Sequence, residues 1–236
     1  MILLGSQEVL VQNWLSGDVN KVPLPEYPGT LLCSARVFWV QPLDSNVLVV
    51  NLATSRDREH SHLYFFAIDV DRTSASYLTT VAVPAGLIHL DMRGDNLALV
   101  CCVSLRISRI FTFQMQFEPE VSLLPKPTIR VQTLDPIGYS SFAVLDSTRF
   151  LIAGPSGISL YRVPDEAFAP TVNRTWWVLP LQTHQYNARD AISSPPLGPV
   201  LDGGNGDILV SVTSGHYLRS LSVHRDRFHL TERRLI

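Results

Sequence analysis

Short apolar runs return along this chain in a fixed order, with turn residues standing between them. Ile2–Leu4, Val47–Val50, Leu97–Val103, Phe150–Ala153 and Ile208–Val212 each begin just after a turn, at positions 2, 47, 97, 150 and 208. A spacing of about 45 to 58 residues suits a unit of four strands that buries its faces only against copies of itself. Four of the runs follow another that ends in the same dipeptide: Leu43-Asp44, Leu90-Asp91, Leu145-Asp146 and Leu201-Asp202. The residues between, such as Ser45-Asn46 and Arg93-Gly94-Asp95-Asn96, accept positive φ or close an Asx turn, as hairpins require. A third run follows in every unit: Val9–Trp14, Leu63–Ile68, Arg109–Met115, Ile158–Val163 and Tyr217–Val223. Fourth strands are expected at Tyr77–Val83, Arg174–Pro180 and Phe228–Leu235, with fainter signals at Val19–Leu24 and Val121–Leu124.

The second strand of each unit is apolar at nearly every position, as in Val47-Leu48-Val49-Val50-Asn51-Leu52, where a one-sided sheet would alternate. Burial on both faces is what strands sandwiched between neighbouring blades require. The pattern therefore predicts an all-β fold, a β-propeller-like array of about five blade units of which the first is incomplete, in one domain over residues 1–236. A two-sheet sandwich is the alternative, but it gives no reason for the Leu-Asp register to return once per unit. Helix-like stretches are short, around Pro164–Ala169 and His184–Ile192.

Composition fits a compact β body, with 46% hydrophobic residues and only 17% charged, against about 25% in typical domains. A net charge of −2 provides no basic footprint for nucleic acid or for an anionic membrane surface. Met1-Ile2-Leu3-Leu4 lacks the basic flank and the length of a secretory signal, and no apolar stretch approaches the roughly 20 residues of a membrane helix. Cys33, Cys101 and Cys102 are an odd number, two of them adjacent on a strand expected to be buried, which suits a reduced compartment. The expectation is an intracellular protein, cytoplasmic or nuclear, and Asn173-Arg174-Thr175 is then a chance sequon.

Several local patterns resemble chemistry without completing it. Gly154-Pro155-Ser156-Gly157-Ile158 lacks the second glycine and the following helix of a nucleophile elbow, so it reads as a hairpin turn. Gly203-Gly204-Asn205-Gly206 leads into a strand, not into a helix that would cradle phosphate. His60-Ser61-His62 has no third zinc ligand nearby and reads as part of a solvated hairpin tip, and Cys101-Cys102 lacks metal-knuckle spacing. No catalytic residue and no cofactor are expected.

The repeated aspartates are the weak metal candidates. If Asp44, Asp91, Asp146 and Asp202 lay around a common axis, their carboxylates would offer a divalent cation the oxygen ligands it prefers. The simpler reading is that each caps its own turn. Most aromatic residues fall inside strands as core, but Trp176-Trp177 differs: adjacent strand residues point to opposite faces, so one indole is left to solvent unless both faces are covered. Trp176 and Trp177 are the interaction candidates.

The stretch Phe142-Ala143-Val144-Leu145-Asp146-Ser147-Thr148-Arg149-Phe150-Leu151-Ile152-Ala153-Gly154, followed by Ile158-Ser159-Leu160-Tyr161-Arg162-Val163-Pro164, resembles a blade from the propeller-like C-terminal region of fungal F-box proteins. The resemblance implies a recognition surface in the propeller and attachment to a ubiquitin ligase through a preceding helical F-box. No leucine- and proline-rich helical module precedes the first strand here, and the Trp-Asp endings of WD-type repeats are absent. The first unit also lacks its Leu-Asp strand, since Ile2 already corresponds to Val47. The chain is thus expected to be a piece of a larger propeller, to close as an unusual five-bladed ring, or to self-associate through open blade edges. The expected function is binding of another protein, as the substrate-recognition part of a ubiquitin-ligase adaptor. The alternatives are a propeller hydrolase with a central metal near residues such as His89, or a truncated remnant without function.

Overall fold

A computed structural model describes residues 2–4, 8–12, 17–23, 30–39, 46–54, 60–69, 74–84, 87–116, 122–168, 175–186, 197–204, 207–214 and 217–234. All regular structure among them is β-strand, apart from two single 3-10 turns at Ile137–Tyr139 and Asp165–Phe168, and none of the sheets closes on itself. The chain divides into two compact units: Met1–Leu87 with Met115–Leu124, and Ile88–Gln114 with Pro125–Ile236.

In the first unit, β1 (Ile2–Leu4), β2 (Glu8–Gln12) and β3 (Val19–Pro23) form a three-stranded antiparallel sheet. A four-stranded antiparallel meander follows, made of β4 (Thr30–Trp39), β5 (Asn46–Thr54), β6 (His60–Asp69) and β7 (Ser74–Pro84). Leu63 to Ile68 on β6 are buried without interruption, so both faces of this strand are covered. His60-Ser61-His62 opens β6, with His60 opposite Pro84 and His62 opposite Ala82; it belongs to the strand and not to the tip expected from its charged flank.

The second unit holds three sheets. The first runs β15-β11-β10-β9-β8, from β8 (Leu87–Arg93), β9 (Asn96–Ser104), β10 (Ile107–Gln116), β11 (Ser122–Gln132) and β15 (Trp176–Val178). The second is β12 (Ser141–Val144), β13 (Arg149–Gly154), β14 (Gly157–Arg162) and β16 (Gln182–Gln185). The third is β17 (Leu197–Gly204), β18 (Asp207–Ser214), β19 (Tyr217–His224) and β20 (Arg227–Arg234). Hairpins close where turn chemistry predicts them: Gly94 at φ +59 closes β8–β9, and Pro155-Ser156 joins β13 to β14.

The second sheet is covered on both sides along its inner strands, which is why Phe150–Ala153 of β13 is apolar without alternation, while the outer strand β16, Gln182-Thr183-His184-Gln185, is polar and largely exposed. One face sends Phe142, Val144, Phe150, Ile152 and Tyr161 against Ala98, Val100, Ile110, Ile129 and Val131 of the first sheet. The other sends Leu151, Ala153, Ile158 and Leu160 against Ile208, Val210, Leu221, Val223 and Phe228 of the third. Phe150 and Tyr161 stack with ring centroids 5.2 Å apart, and the buried Tyr161 hydroxyl donates to Gln132 O at 2.8 Å. Side chains also tie the sheets together at their edges. Asp91 on β8 accepts from Val144 N–H on β12 at 2.7 Å. Gln182 on β16 exchanges two bonds with the backbone of Phe228 on β20, at 2.8 and 3.0 Å.

Three expectations need correction. Arg174–Pro180 does not supply the fourth strand of the second sheet; its core, β15, pairs in parallel with β11 of the first sheet, and β16 takes the vacant place. The reason is packing: Trp176 and Val178 both join the core shared by the two sheets, which β15 reaches only from the edge of the first. The helix-like pattern at 184–192 begins instead on β16, with residues 187–192 outside the described residues. Finally, β18 is not buried on both faces. Ile208 and Val210 face the core while Leu209, opposite Leu201 of β17, is exposed with it.

Candidate functional site

The Leu-Asp dipeptides recur in sequence but hold different places in the fold. Asp44 lies outside the described residues. Asp91 sits within β8 and binds the neighbouring sheet, so it does not cap its own turn. Asp202 lies within β17 opposite Ile208, on an exposed stretch. Asp146 follows β12 and does close its turn, accepting from Thr148 N–H at 2.8 Å, Thr148 Oγ1 at 2.9 Å, Arg149 N–H at 2.8 Å and Arg149 Nε at 2.6 Å. Burial works to raise the Asp146 pKa, but these donors outweigh it and hold the carboxyl below its ordinary range. Among the described residues no three His, Cys, Asp or Glu side chains stand close enough together to hold a metal ion. His89 is engaged elsewhere, its Nε2 lying 2.9 Å from Ile137 O.

Asp146 borders an open cavity of about 550 Å³ lined also by Thr148, Arg149, Arg162, His224, Arg225 and Asp226. Two of its three arginines are held by carboxylates. Arg149 pairs with Asp146 at 2.6 Å, Arg162 with Asp226 at 2.9 Å and Asp165 at 3.3 Å, and His224 with Asp207 at 2.6 Å. Arg149 also donates to Arg225 O, in a turn that Arg225 enters at φ +50. Arg149 and Arg162, held by carboxylates and a carbonyl, act as a clasp between the second and third sheets. The turn at Ser156 is likewise structural: its hydroxyl and N–H both donate to the buried Asp135 carboxylate, at 2.6 and 2.8 Å.

A different balance holds on the outer strand of the first sheet. Of the two interaction candidates, Trp176 turns inward and packs on the core, while Trp177 turns outward and is 57% exposed. Leu179 and Leu181, on the segment that crosses from β15 to β16, are 77% and 46% exposed, so three large apolar side chains line one short outer stretch. Beneath Trp177 lies Arg130 of β11, its guanidinium carbon 5.3 Å from the ring centroid, with the two residues directly paired in the sheet. One strand further in, the Arg109 guanidinium stands 5.9 Å from the Phe111 ring. These contacts lie in the range of a cation–aromatic attraction. The surface combines an apolar anchor with cationic groups, the residue types that dominate protein-binding hot spots.

The tryptophan pair was visible in sequence because alternation forces one of two adjacent strand residues outward. The arginines were not. Nothing in the sequence told which strand β15 would join, and only its pairing with β11 sets Arg130 under Trp177.

No family model matches the chain, and no curated protein matches it. Solved structures give distant likenesses. An acylaminoacyl peptidase of Pyrococcus horikoshii is 11% identical over 99% of this chain and 36% of its own, with a TM-score of 0.45. Hsv2 of Kluyveromyces lactis is 10% identical over 99% of this chain and 72% of its own, at 0.49. The CNH domain of AfRom2 is 10% identical over 95% of this chain and 76% of its own, at 0.38. The chain spans about a third of the peptidase, and all three TM-scores are too low to assign a fold family or an activity.

Proposed function

We propose that the chain is a protein-recognition module, a β-propeller-like array that binds and does not catalyse, with the outer strand around Trp177 as its contact surface. The observation that supports this reading is the exposed run Trp177, Leu179 and Leu181 beside Arg130. A large indole held over a guanidinium is amphipathic and loses little conformational freedom on binding, which suits it as an anchor. On the resemblance of residues 142–164 to fungal F-box proteins, the role such a module fills is substrate recognition in a ubiquitin-ligase adaptor.

The test is selection of peptides from a random display library against the whole chain, followed by affinity measurement on the Trp177→Ala variant. An anchor residue contributes about 2 kcal/mol or more, so most selected peptides should lose roughly thirty-fold in affinity. Repeated selections that yield no binder, or binders indifferent to Trp177→Ala in a folded variant, would refute the proposal.

A further inference from the structure

The register of β10 against β11 places two positive charges side by side. Thr133 N–H donates to Arg106 O at 2.9 Å just beyond the strand ends, which sets residue 106 opposite 133. Counting inward, Ile110 falls opposite Ile129, both on the core face, and Thr112 falls opposite Pro127, whose carbonyl its hydroxyl reaches at 2.8 Å. The same count sets Arg109 directly opposite Arg130, on the face turned away from that core. Positions of this kind are the closely spaced pairs of an antiparallel ladder, with Cα atoms about 4.5 Å apart. Arg130 is in turn paired with Trp177 on β15, so Arg109, Arg130 and Trp177 form one row across three strands.

Like charges facing each other across a sheet destabilise it unless something compensates. No carboxylate among the described residues compensates the pair. Among the described residues neither guanidinium has an ion-pair partner, and Nε of both is buried without a hydrogen bond. The rings of Phe111 and Trp177 attract the guanidinium faces but leave the in-plane N–H donors unused. The contrast with Arg149 and Arg162 on the same unit is complete, since each of those is held by a carboxylate.

We propose, resting on the reading of the chain as a protein-recognition module, that Arg109 and Arg130 receive the carboxylates of an extended acidic segment of a partner protein. The partner's apolar side chains then pack on Trp177, Leu179 and Leu181. Charge complementarity selects the acid, because two adjacent guanidiniums with unused donors match carboxylate oxygens in bidentate geometry. The row Trp177, Arg130 and Arg109 crosses three neighbouring strands, and an extended segment laid across that face meets the three in order.

The experiment uses the full chain and two fluorescein-labelled eight-residue peptides, one alternating Glu with Leu and one with Gln in place of Glu. The Glu peptide is expected to bind at least ten-fold more tightly, to weaken as salt is raised, and to lose its advantage in the Arg109→Gln/Arg130→Gln double variant. That variant removes a like-charge pair, so its urea midpoint should equal or exceed the parent's, and the double Lys variant should retain part of the preference. Equal binding of the two peptides, still dependent on Trp177, would overturn the acidic-partner inference and leave the recognition reading standing. If neither peptide binds, the Arg Nε–H resonances decide. Shifts at Arg109 and Arg130 with N-acetylglutamate would keep the carboxylate site and remove the recognition reading, and unmoved resonances would overturn both. Tighter binding of an eight-nucleotide oligouridine through the same arginines would overturn the choice of carboxylate, since bases also stack on an exposed indole.

Discussion

Gly154 is the position where one added carbon should do most damage. A Cβ built there would overlap Asp135 Oδ2 and come within 2.9 Å of both Asp135 Cβ and Cγ, so rotating the tip of the side chain does not clear the clash. Asp135 is buried and accepts the Ser156 N–H and hydroxyl at 2.8 and 2.6 Å. Gly154→Ala therefore forces either strain, about 1–3 kcal/mol for overpacking, or loss of a bond to a charged acceptor, about 1.5–3 kcal/mol. With both in play, the substitution should cost about 3–5 kcal/mol, large for a single methyl group. Asp135→Ala alone should cost about 2–3 kcal/mol, since it loses the same bonds but leaves Ser156 at a solvated turn. In the Asp135→Ala background the overlap with Oδ2 and Cγ is gone but the 2.9 Å approach to Cβ stays, so adding Gly154→Ala should still cost about 1–2 kcal/mol of strain, a coupling of about 2 kcal/mol. Urea unfolding of the four proteins, followed by tryptophan fluorescence, measures the cycle. Equal cost of Gly154→Ala in both backgrounds, or a cost under about 0.5 kcal/mol in the parent, would refute the reasoning.

The Asp146 carboxyl has its folded pKa below the unfolded value of about 3.9, so its contribution is present above that value and lost as pH falls through the folded one. The stability gap between parent and Asp146→Ala should accordingly narrow below about pH 4, and a gap that stays constant down to pH 2 would contradict the assignment. Burial pushes the Tyr161 hydroxyl up to about 12, so it should stay protonated in spectrophotometric titration while exposed tyrosines ionise. The stability linked to this group is full below about pH 10, the unfolded value, and is lost as pH rises toward the folded one; Tyr161→Phe should remove about 1 kcal/mol at neutral pH. The two adjacent tryptophans should separate cleanly in urea melts, with Trp176→Ala costing about 3–5 kcal/mol as a core truncation. Trp177→Ala should stay within about 0.5 kcal/mol.

The sequence carried the strands better than their assembly. Turn residues such as Arg93-Gly94-Asp95-Asn96 and Gly154-Pro155-Ser156-Gly157 localise hairpins because their chemistry is local, and the unbroken apolar runs at Leu97–Cys101 and Phe150–Ala153 announce burial on both faces. What failed depended on long-range choice. Trp176-Trp177-Val178 has the pattern of a fourth strand, but a three-residue strand takes whichever edge buries Trp176 and Val178, and that edge belonged to the preceding sheet. Pro125 and Pro127 likewise hid the length of β11. Pro127 keeps its carbonyl in use, accepting from the Thr112 hydroxyl of β10 at 2.8 Å. The repeated Asp was legible as a turn former at Asp146, whereas at Asp91 the same residue reaches 53 positions onward to a neighbouring sheet, a bond no local pattern encodes.

The chain has four tryptophans, and the indole N–H resonances of a labelled sample report on each separately. Titration with a selected peptide is the most direct test of the recognition surface. The account predicts that the Trp177 resonance shifts and saturates with the binding curve while that of Trp176, turned into the core, moves little. Saturable binding that leaves Trp177 unmoved would place the recognition surface elsewhere and contradict the account.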